Sequence, residues 1–261
     1  MNALITFGCS WTQGKASWYP EEGMSKEEFI ARGKERHDPN QPYSFRSILA
    51  KRHGYENVNF SRGGSSNHLQ FRLAEEYFNT DDYKKYDDVI VLWGITSTSR
   101  MELWCNEIGR HITCFYSDSN IGSRHKQHRV GKIIREDYYD HDVEVDKIGT
   151  KIKHWDKFFE LLGIRNYWFD TFNHHDYKEL SPNMIMKDNH RRDLLSTLCK
   201  NERWSFTFDS YHQSAWTADS DRIKFLVAKN LANPYSLHPN VTGHIKIADI
   251  LDKYVKFCYY K

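Results

Sequence analysis

Apolar residues along the chain gather into short continuous runs, each closed by glycine or small polar residues, with helically spaced segments between them. The clearest run is Asp88-Val89-Ile90-Val91-Leu92-Trp93-Gly94. Unbroken apolar character is what a strand covered on both faces requires; a half-exposed strand alternates. Related runs are Leu4-Ile5-Thr6-Phe7 before Gly8, Val58-Asn59-Phe60 before Ser61-Arg62-Gly63-Gly64, and Asn166 to Phe172 after Gly163. Helical spacing fits Tyr43 to His53 with Gly54 as its stop, His68 to Phe78, about Asp146 to Leu162, Asp219 to Asn230, and Gly243 to Cys258. Ser25 and Glu28 have the spacing of a capping box, and Arg191 to Cys199 has helical potential. Strands followed by helices predict an α/β protein, a three-layer α/β/α sandwich with a mainly parallel sheet. Such sheets bind ligands outside the carboxyl ends of their strands. Ser10, Gly63-Gly64 and Gly94-Ile95-Thr96 each follow a predicted strand, so this fold draws them to one edge.

Between about Asn106 and Val145 the rhythm lapses into polar tracts, among them Arg124-His125-Lys126-Gln127-His128-Arg129 and Asp137-Tyr138-Tyr139-Asp140-His141-Asp142. The expectation is one domain over residues 1–261 with an insertion or lid at about 106–145. Hydrophobic residues make up 39% and charged residues 28%, which suits a globular chain. The aromatic share of 15% suits either a sugar-binding surface or an enlarged aromatic core. A net charge of +2 without a basic tail gives no argument for nucleic acid. Five cysteines, Cys9, Cys105, Cys114, Cys199 and Cys258, include no CxxC pair, which argues against a disulfide framework or a zinc ribbon. A cytoplasmic protein with no signal peptide and no membrane span is expected.

A serine just beyond a buried strand, as in Gly8-Cys9-Ser10-Trp11-Thr12-Gln13-Gly14, is either a helix start or a nucleophile. As a nucleophile it needs a base and donors for an oxyanion. The histidine best placed to be the base is His238, in Ser236-Leu237-His238-Pro239-Asn240-Val241-Thr242-Gly243-His244, a loop just before the last predicted helix. Donors can come from the Ser10 main chain, the Gly63-Gly64 turn and a side chain near Thr96. Trp11 and Trp93 flank these positions as an aromatic wall or as core, and Arg100 can return as an anion or sugar contact or as an ion pair. Cys9 reads as a rival thiol nucleophile or as a small buried residue. His174-His175-Asp176 reads as two metal ligands and a carboxylate or as a polar strand-end loop. Adjacent strand residues point to opposite faces, which favours the loop. His125, His128, Asp137, Asp140, His141 and Asp142 lack tight metal spacing, so neither metal nor cofactor is expected. Arg124, Lys126 and Arg129 can meet an acidic ligand, though short mixed-charge runs are usually solvated.

Four of these stretches, in this order, resemble the SGNH hydrolase (GDSL esterase/lipase) family. Gly8-Cys9-Ser10 resembles its first block with Cys9 in place of aspartate. Asn59-Phe60-Ser61-Arg62-Gly63-Gly64 resembles the second, and Gly94-Ile95-Thr96 the third with Thr96 in place of asparagine. His238-Pro239-Asn240 with Gly243-His244 resembles the fifth. The resemblance implies a flavodoxin-like SGNH hydrolase fold and a serine esterase or carbohydrate O-deacylase (deacetylase) working through an acyl-enzyme. It implies Ser10 as nucleophile, His238 as base, and Ser10, Gly64 and Thr96 as oxyanion donors. The family places its acid three residues before the histidine, where this chain has Tyr235, so the acid comes from Asp219 or Asp221, is replaced by a carbonyl, or is missing. The implied partner is a small-molecule or glycan ester. A catalytically weak or inactive SGNH-like binding protein for a glycan or protein is the alternative.

Overall fold

The computed structural model describes residues 1–15, 17, 25–28, 31, 41–106, 109–115, 139–171, 175–185, 194, 198, 221–235 and 238–257. Four strands, β1 (Asn2–Phe7), β2 (Glu56–Asn59), β3 (Asp88–Ile95) and β6 (Arg165–Asp170), form one sheet in the order β2-β1-β3-β6. Every pairing is parallel: Thr6 lies opposite Asn59 and Leu92, and Ile95 opposite Asp170. All carboxyl ends therefore share one edge.

Both faces of the sheet are covered, which explains why β1 and β3 are mostly apolar and buried almost throughout rather than alternating. On one face Leu4, Ile90, Leu92 and Phe169 pack with Phe45 and Leu49 of α2 (Phe45–His53), Leu226 of α5 (Asp221–Ala228) and Ile247 and Leu251 of α6 (Val241–Leu251). On the other, Ala3, Ile5, Phe7, Val91 and Trp93 pack with Phe71 and Phe78 of α3 (Asn67–Phe78) and Ile152 and Phe159 of α4 (His141–Leu162). The protein is a three-layer α/β/α sandwich with a parallel sheet. No described helix is long and apolar enough to cross a membrane.

Local chemistry sets the helix ends. Ser44 accepts from Ser47 N–H at the start of α2, and Gly54 ends that helix in the left-handed conformation, φ 72°. Ser66 caps α3 and Asn240 caps α6 in the same way. The Ser25–Glu28 capping box is closed in both directions: Glu28 N–H donates to Ser25 Oγ at 3.2 Å, and Ser25 N–H to Glu28 Oε2 at 3.0 Å. Of the helix expected at Arg191 to Cys199, Leu194 and Leu198 are described, and both are buried.

Several boundaries differ from the sequence expectation: β6 ends at Asp170, short of Phe172, and α6 at Leu251, short of Cys258. Helix α4 starts at His141, five residues ahead of the expected Asp146, because the Asp140 carboxylate accepts from Asp142 N–H and Val143 N–H and so caps it. The departure from the sheet also begins before Asn106, with β4 (Arg100–Cys105) pairing antiparallel to β5 (Arg110–Phe115) as a separate ribbon. Arg72 of α3 holds this ribbon through a two-pronged pair with Glu102, Nε to Oε2 at 3.0 Å and Nη2 to Oε1 at 2.8 Å, and its guanidinium is stabilised in the charged form. Residues 116–138, including Arg124, His125, Lys126, His128, Arg129 and Asp137, lie outside the described residues.

The carboxyl edge depends on space left by two glycines. A Cβ on Gly8 would lie 2.2 Å from Thr12 Oγ1, and one on Gly94 would lie 2.3 Å from the same atom. The short helix α1 (Ser10–Gln13) thus crosses over the ends of β1 and β3 because both lack side chains there. Gly94→Ala should destabilise the protein by about 1–3 kcal/mol through overpacking. Thr12→Ala placed in the Gly94→Ala background should recover part of that loss. A urea-unfolding double-mutant cycle measures the coupling, and simple additivity would contradict the contact.

Candidate functional site

Strand β1 ends at Phe7, Gly8 clears the turn, and Cys9 occupies the N-cap position in extended conformation, so Ser10 becomes the first residue of α1. Gly14 closes this single turn with φ 84°. The Ser10 carbonyl accepts from Gly14 N–H at 3.1 Å and Lys15 N–H at 2.9 Å, which fixes the backbone that carries the hydroxyl. Ser10 is 7% exposed.

The loop after β2 is drawn over this turn by Arg62 N–H, which donates to the Gly8 carbonyl at 3.0 Å. Gly63 then faces α1: a Cβ there would lie 3.2 Å from Gln13 Oε1 and 3.9 Å from Ser10 Cβ. Gly64 follows with φ 73°, a left-handed turn that suits glycine.

The end of β3 is tied to the same loop. Asn67 Nδ2 donates to the Thr96 carbonyl and Asn67 Oδ1 accepts from Thr96 N–H, both at 2.9 Å and both buried. One side chain thereby satisfies two backbone groups beyond the last sheet pairing. The Thr96 hydroxyl is wholly buried and makes no hydrogen bond among the described residues, so it is enclosed rather than presented to a ligand. Arg100, on β4, donates from Nη1 to the Ser65 carbonyl at 3.5 Å and thus returns to the glycine loop.

The loop that carries His238 is closed by its own amides. Asn233 N–H donates to the His238 carbonyl at 2.7 Å, and Tyr235 N–H to Asn233 Oδ1 at 2.7 Å. Asn240 Nδ2 donates to the Asn230 carbonyl at 2.9 Å while its Oδ1 caps α6 through Gly243 N–H. Gly243 is required there, since a Cβ would lie 2.0 Å from the Leu231 carbonyl oxygen. His238 is 7% exposed, and Tyr235 is 41% exposed. No hydrogen bond joins the side chains of Ser10 and His238 among the described residues, where Ser10 bonds through its carbonyl.

One expectation needs correction, and the remaining candidate residues fall as follows. Trp11 and Trp93 form no aromatic wall, because each is wholly buried and they lie in opposite cores. Trp93 stacks between Phe7 and Trp168, with ring centroids 4.5 Å away on each side. The steric reason is that the end of β3 is still inside the sandwich, with helices over both faces. Cys9 is a buried free thiol in the first core. Asp219 and His174 lie outside the described residues. Asp221 opens α5, and its side chain lies outside the description. Asp176 is exposed, and among the described residues no group of three or more His, Cys, Asp or Glu side chains could hold a metal ion.

Three positions stand out beyond the four motifs: Asn67 and Asp170, which have no reading of their own, and His175, read only with His174 and Asp176 as a metal ligand or a strand-end loop. Asn67, the clamp on Thr96, was legible only as a polar residue beside a cap. Asp170 and His175 form a buried pair at the carboxyl end of β6, with His175 Nδ1 2.8 Å from Asp170 Oδ1. The signal was an acidic residue ending an apolar strand, which the expected strand to Phe172 placed in its interior instead.

His244 sits beneath the His238 loop, wholly buried, and accepts from Phe45 N–H through Nδ1 at 3.3 Å. Burial first, then the positive charges of His238 and Arg46, lower its pKa to about 3.

No protein-family model matches the chain, and no curated protein matches it. Among solved structures, the acetyl xylan esterase Est2A from the rumen bacterium Butyrivibrio proteoclasticus is similar with a TM-score of 0.41 and 13% identity, over 97% of this chain and 62% of that one. The chain thus spans less than two thirds of that esterase's length.

The His244 shift gives a pH dependence with a definite sign. The unfolded chain takes up a proton on His244 near its ordinary value of 6.5, and the folded chain does so only near 3. Its contribution is complete above about pH 6.5 and is lost as pH falls toward 3, with a limiting slope of about 1.4 kcal/mol per pH unit. Urea unfolding of His244→Gln across this range should show a shallower acid loss than the wild-type chain; equal slopes would contradict the assignment.

Proposed function

We propose that this chain is a serine hydrolase of the SGNH type that cleaves an ester through an acyl-enzyme. The observation that carries the reading is the placement of Ser10 in the first turn beyond β1 with Gly63 facing its Cβ. A hydroxyl there stands at the carboxyl edge, at the amino end of a turn and beside a glycine loop whose amides can serve an oxyanion.

In this reading His238 removes the Ser10 proton as Oγ attacks the ester carbonyl. The negative charge that develops on the carbonyl oxygen is met by the Ser10 and Gly64 amides. Thr96 contributes a third donor once its enclosed hydroxyl turns toward the site. The resulting imidazolium then gives its proton to the departing alkoxide, leaving the acyl group on Ser10. Water attacks that ester with His238 again acting as base, and acid and free enzyme result. Support for His238 comes from the closed loop that fixes its backbone and from its place ahead of α6. Asp219 and Asp221 remain the candidate acids, since Tyr235 has no carboxylate. Without an orienting acid, turnover falls by about 10⁴-fold, so a slow enzyme is expected. The substrate class we assign is an O-acyl group on a small alcohol or a glycan. Arg100, returning to the loop at Ser65, is the candidate contact for its polar part. The setting we assign is cytoplasmic, with neither nucleic acid nor membrane as a partner.

One observation favours the second reading, a non-catalytic protein of the same fold that binds a glycan or protein: Thr96 is enclosed and the acid position is the exposed Tyr235. Turnover separates the two. Hydrolysis of p-nitrophenyl acetate should be measurable, and Ser10→Ala and His238→Ala should each lower kcat/KM by about 10²-fold or more. Unchanged turnover in either folded variant would sink the assignment, and a folded wild-type chain without turnover would favour the binding protein.

A further inference from the structure

The end of β6 holds a polar cluster that the proposed ester chemistry does not use. Asp170 Oδ1 accepts from His175 Nδ1 at 2.8 Å and from the Tyr177 hydroxyl at 2.9 Å, while Oδ2 accepts from His175 N–H at 3.1 Å. The carboxylate can only accept, so Nδ1 of His175 carries a proton; in the uncharged ring Nε2 then presents a lone pair. His175 is 1% exposed, and its Nε2 is enclosed without a hydrogen bond among the described residues. Burial and the Asp170 charge hold Tyr177 as a neutral phenol, a donor to the same carboxylate.

Buried polar atoms without partners are costly. His244 Nε2 is another, but what marks His175 is that its other nitrogen is held by a carboxylate. Here a carboxylate fixes the ring and its tautomer, and the opposite nitrogen is left bare. That is how proteins prepare an imidazole to receive a donor or a cation. Among the described residues no cluster of three or more ligating side chains accompanies it. Around the cluster are hydroxyls, rings and the carboxylates of Asp140, Asp142 and Asp176, whose charges act on His141. His141 lies nearly parallel to His175, with centroids 6.4 Å apart and planes at 16°, and Tyr177 lies at 5.7 Å. Beyond His141, Thr98 Oγ1 is 3.0 Å from His141 Nδ1 and 2.8 Å from the Tyr139 hydroxyl. Hydroxyls that both give and take suit a ligand that does the same.

Position links this cluster to Ser10. Asp170 lies opposite Ile95, and Thr171 N–H donates to the Ile95 carbonyl at 2.9 Å. The Thr171 and Thr12 hydroxyls both approach Gly94. Strands β1 and β6 flank β3, so the strand ends that precede Ser10 and carry Asp170 are on the order of 10 Å apart. A small polyhydroxy ester spans such a distance.

We propose that Asp170 and His175 form a hydroxyl-binding subsite, in which His175 Nε2 accepts a hydrogen bond from an alcohol group of the ligand. Only the identification of that ligand as an ester rests on the reading of Ser10 as nucleophile.

The test is a nuclear magnetic resonance titration of the full chain carrying isotope-labelled histidine nitrogens, with His175→Phe assigning the signals. Glycerol monomethyl ether, which offers hydroxyls and cannot be hydrolysed, is the probe, and glycerol trimethyl ether is its hydroxyl-free counterpart. The free protein should show His175 as the neutral Nδ1–H tautomer. The monomethyl ether should shift its Nε2 resonance upfield in a saturable way, and the trimethyl ether should not. A proton found on Nε2, no shift with the monomethyl ether, or equal shifts with both ethers overturns the proposal. These readouts use the wild-type chain, so a folding failure in His175→Phe removes only the assignment aid; Asp170→Asn, which should release the tautomer, then serves in its place. A wild-type chain that hydrolyses no ester while His175 still responds upholds the subsite and defeats the Ser10 reading alone.

Discussion

Everything at the carboxyl edge depends on the absence of two side chains. Gly8 and Gly94 leave a gap that Thr12 fills from above, which lets α1 lie across the ends of β1 and β3. A methyl group at either position would occupy the place of Thr12 and lift the turn off the sheet. With the turn seated, Ser10 is held by its carbonyl bonds, and the Gly63 loop can close on it through the bond from Arg62 N–H to the Gly8 carbonyl. The site is therefore a consequence of packing density before it is a matter of chemistry.

The remaining parts are joined to this turn by polar contacts that replace sheet pairing where the strands end. Asn67 satisfies both backbone groups of Thr96, so the end of β3 is tied to the start of α3, just after the glycine loop. Asn240 performs the same service for the His238 loop, capping α6 while binding the Asn230 carbonyl. Asp170 does so with charge, gathering His175 and Tyr177 at the end of β6. Each of these is a short polar side chain at a strand or helix end, where backbone groups outnumber their regular partners.

The layers of the fold were legible in the sequence because burial on both faces writes itself as unbroken apolar runs. The strand at Asp88 to Gly94 and the glycine stop at Gly54 are read directly from residue type. Ser10, Gly63 and Gly94 were legible as glycine-punctuated strand ends. What escaped depends on distance in space rather than pattern along the chain. Trp93 reads equally as wall or core until α3 and α4 are laid over it. Asn67 means little until Thr96 arrives beside it. Asp170 and His175, five positions apart around a strand end, have no spacing rule that distinguishes them from the neighbouring His174 and Asp176. The early start of α4 was hidden because Asp140 reads as one more charge in a polar tract until its carboxylate is seen to cap a helix.

The central claim is that Ser10 is a nucleophile activated by its surroundings and not merely the first residue of a helical turn. Labelling with a serine-directed fluorophosphonate, followed by peptide mapping by mass spectrometry, tests this most directly, because the reagent forms its adduct only with an activated hydroxyl. The account predicts a stoichiometric adduct on the peptide that contains Ser10, lost when His238 is replaced by alanine. A folded chain that takes up no label, or takes it up on another serine, would contradict it.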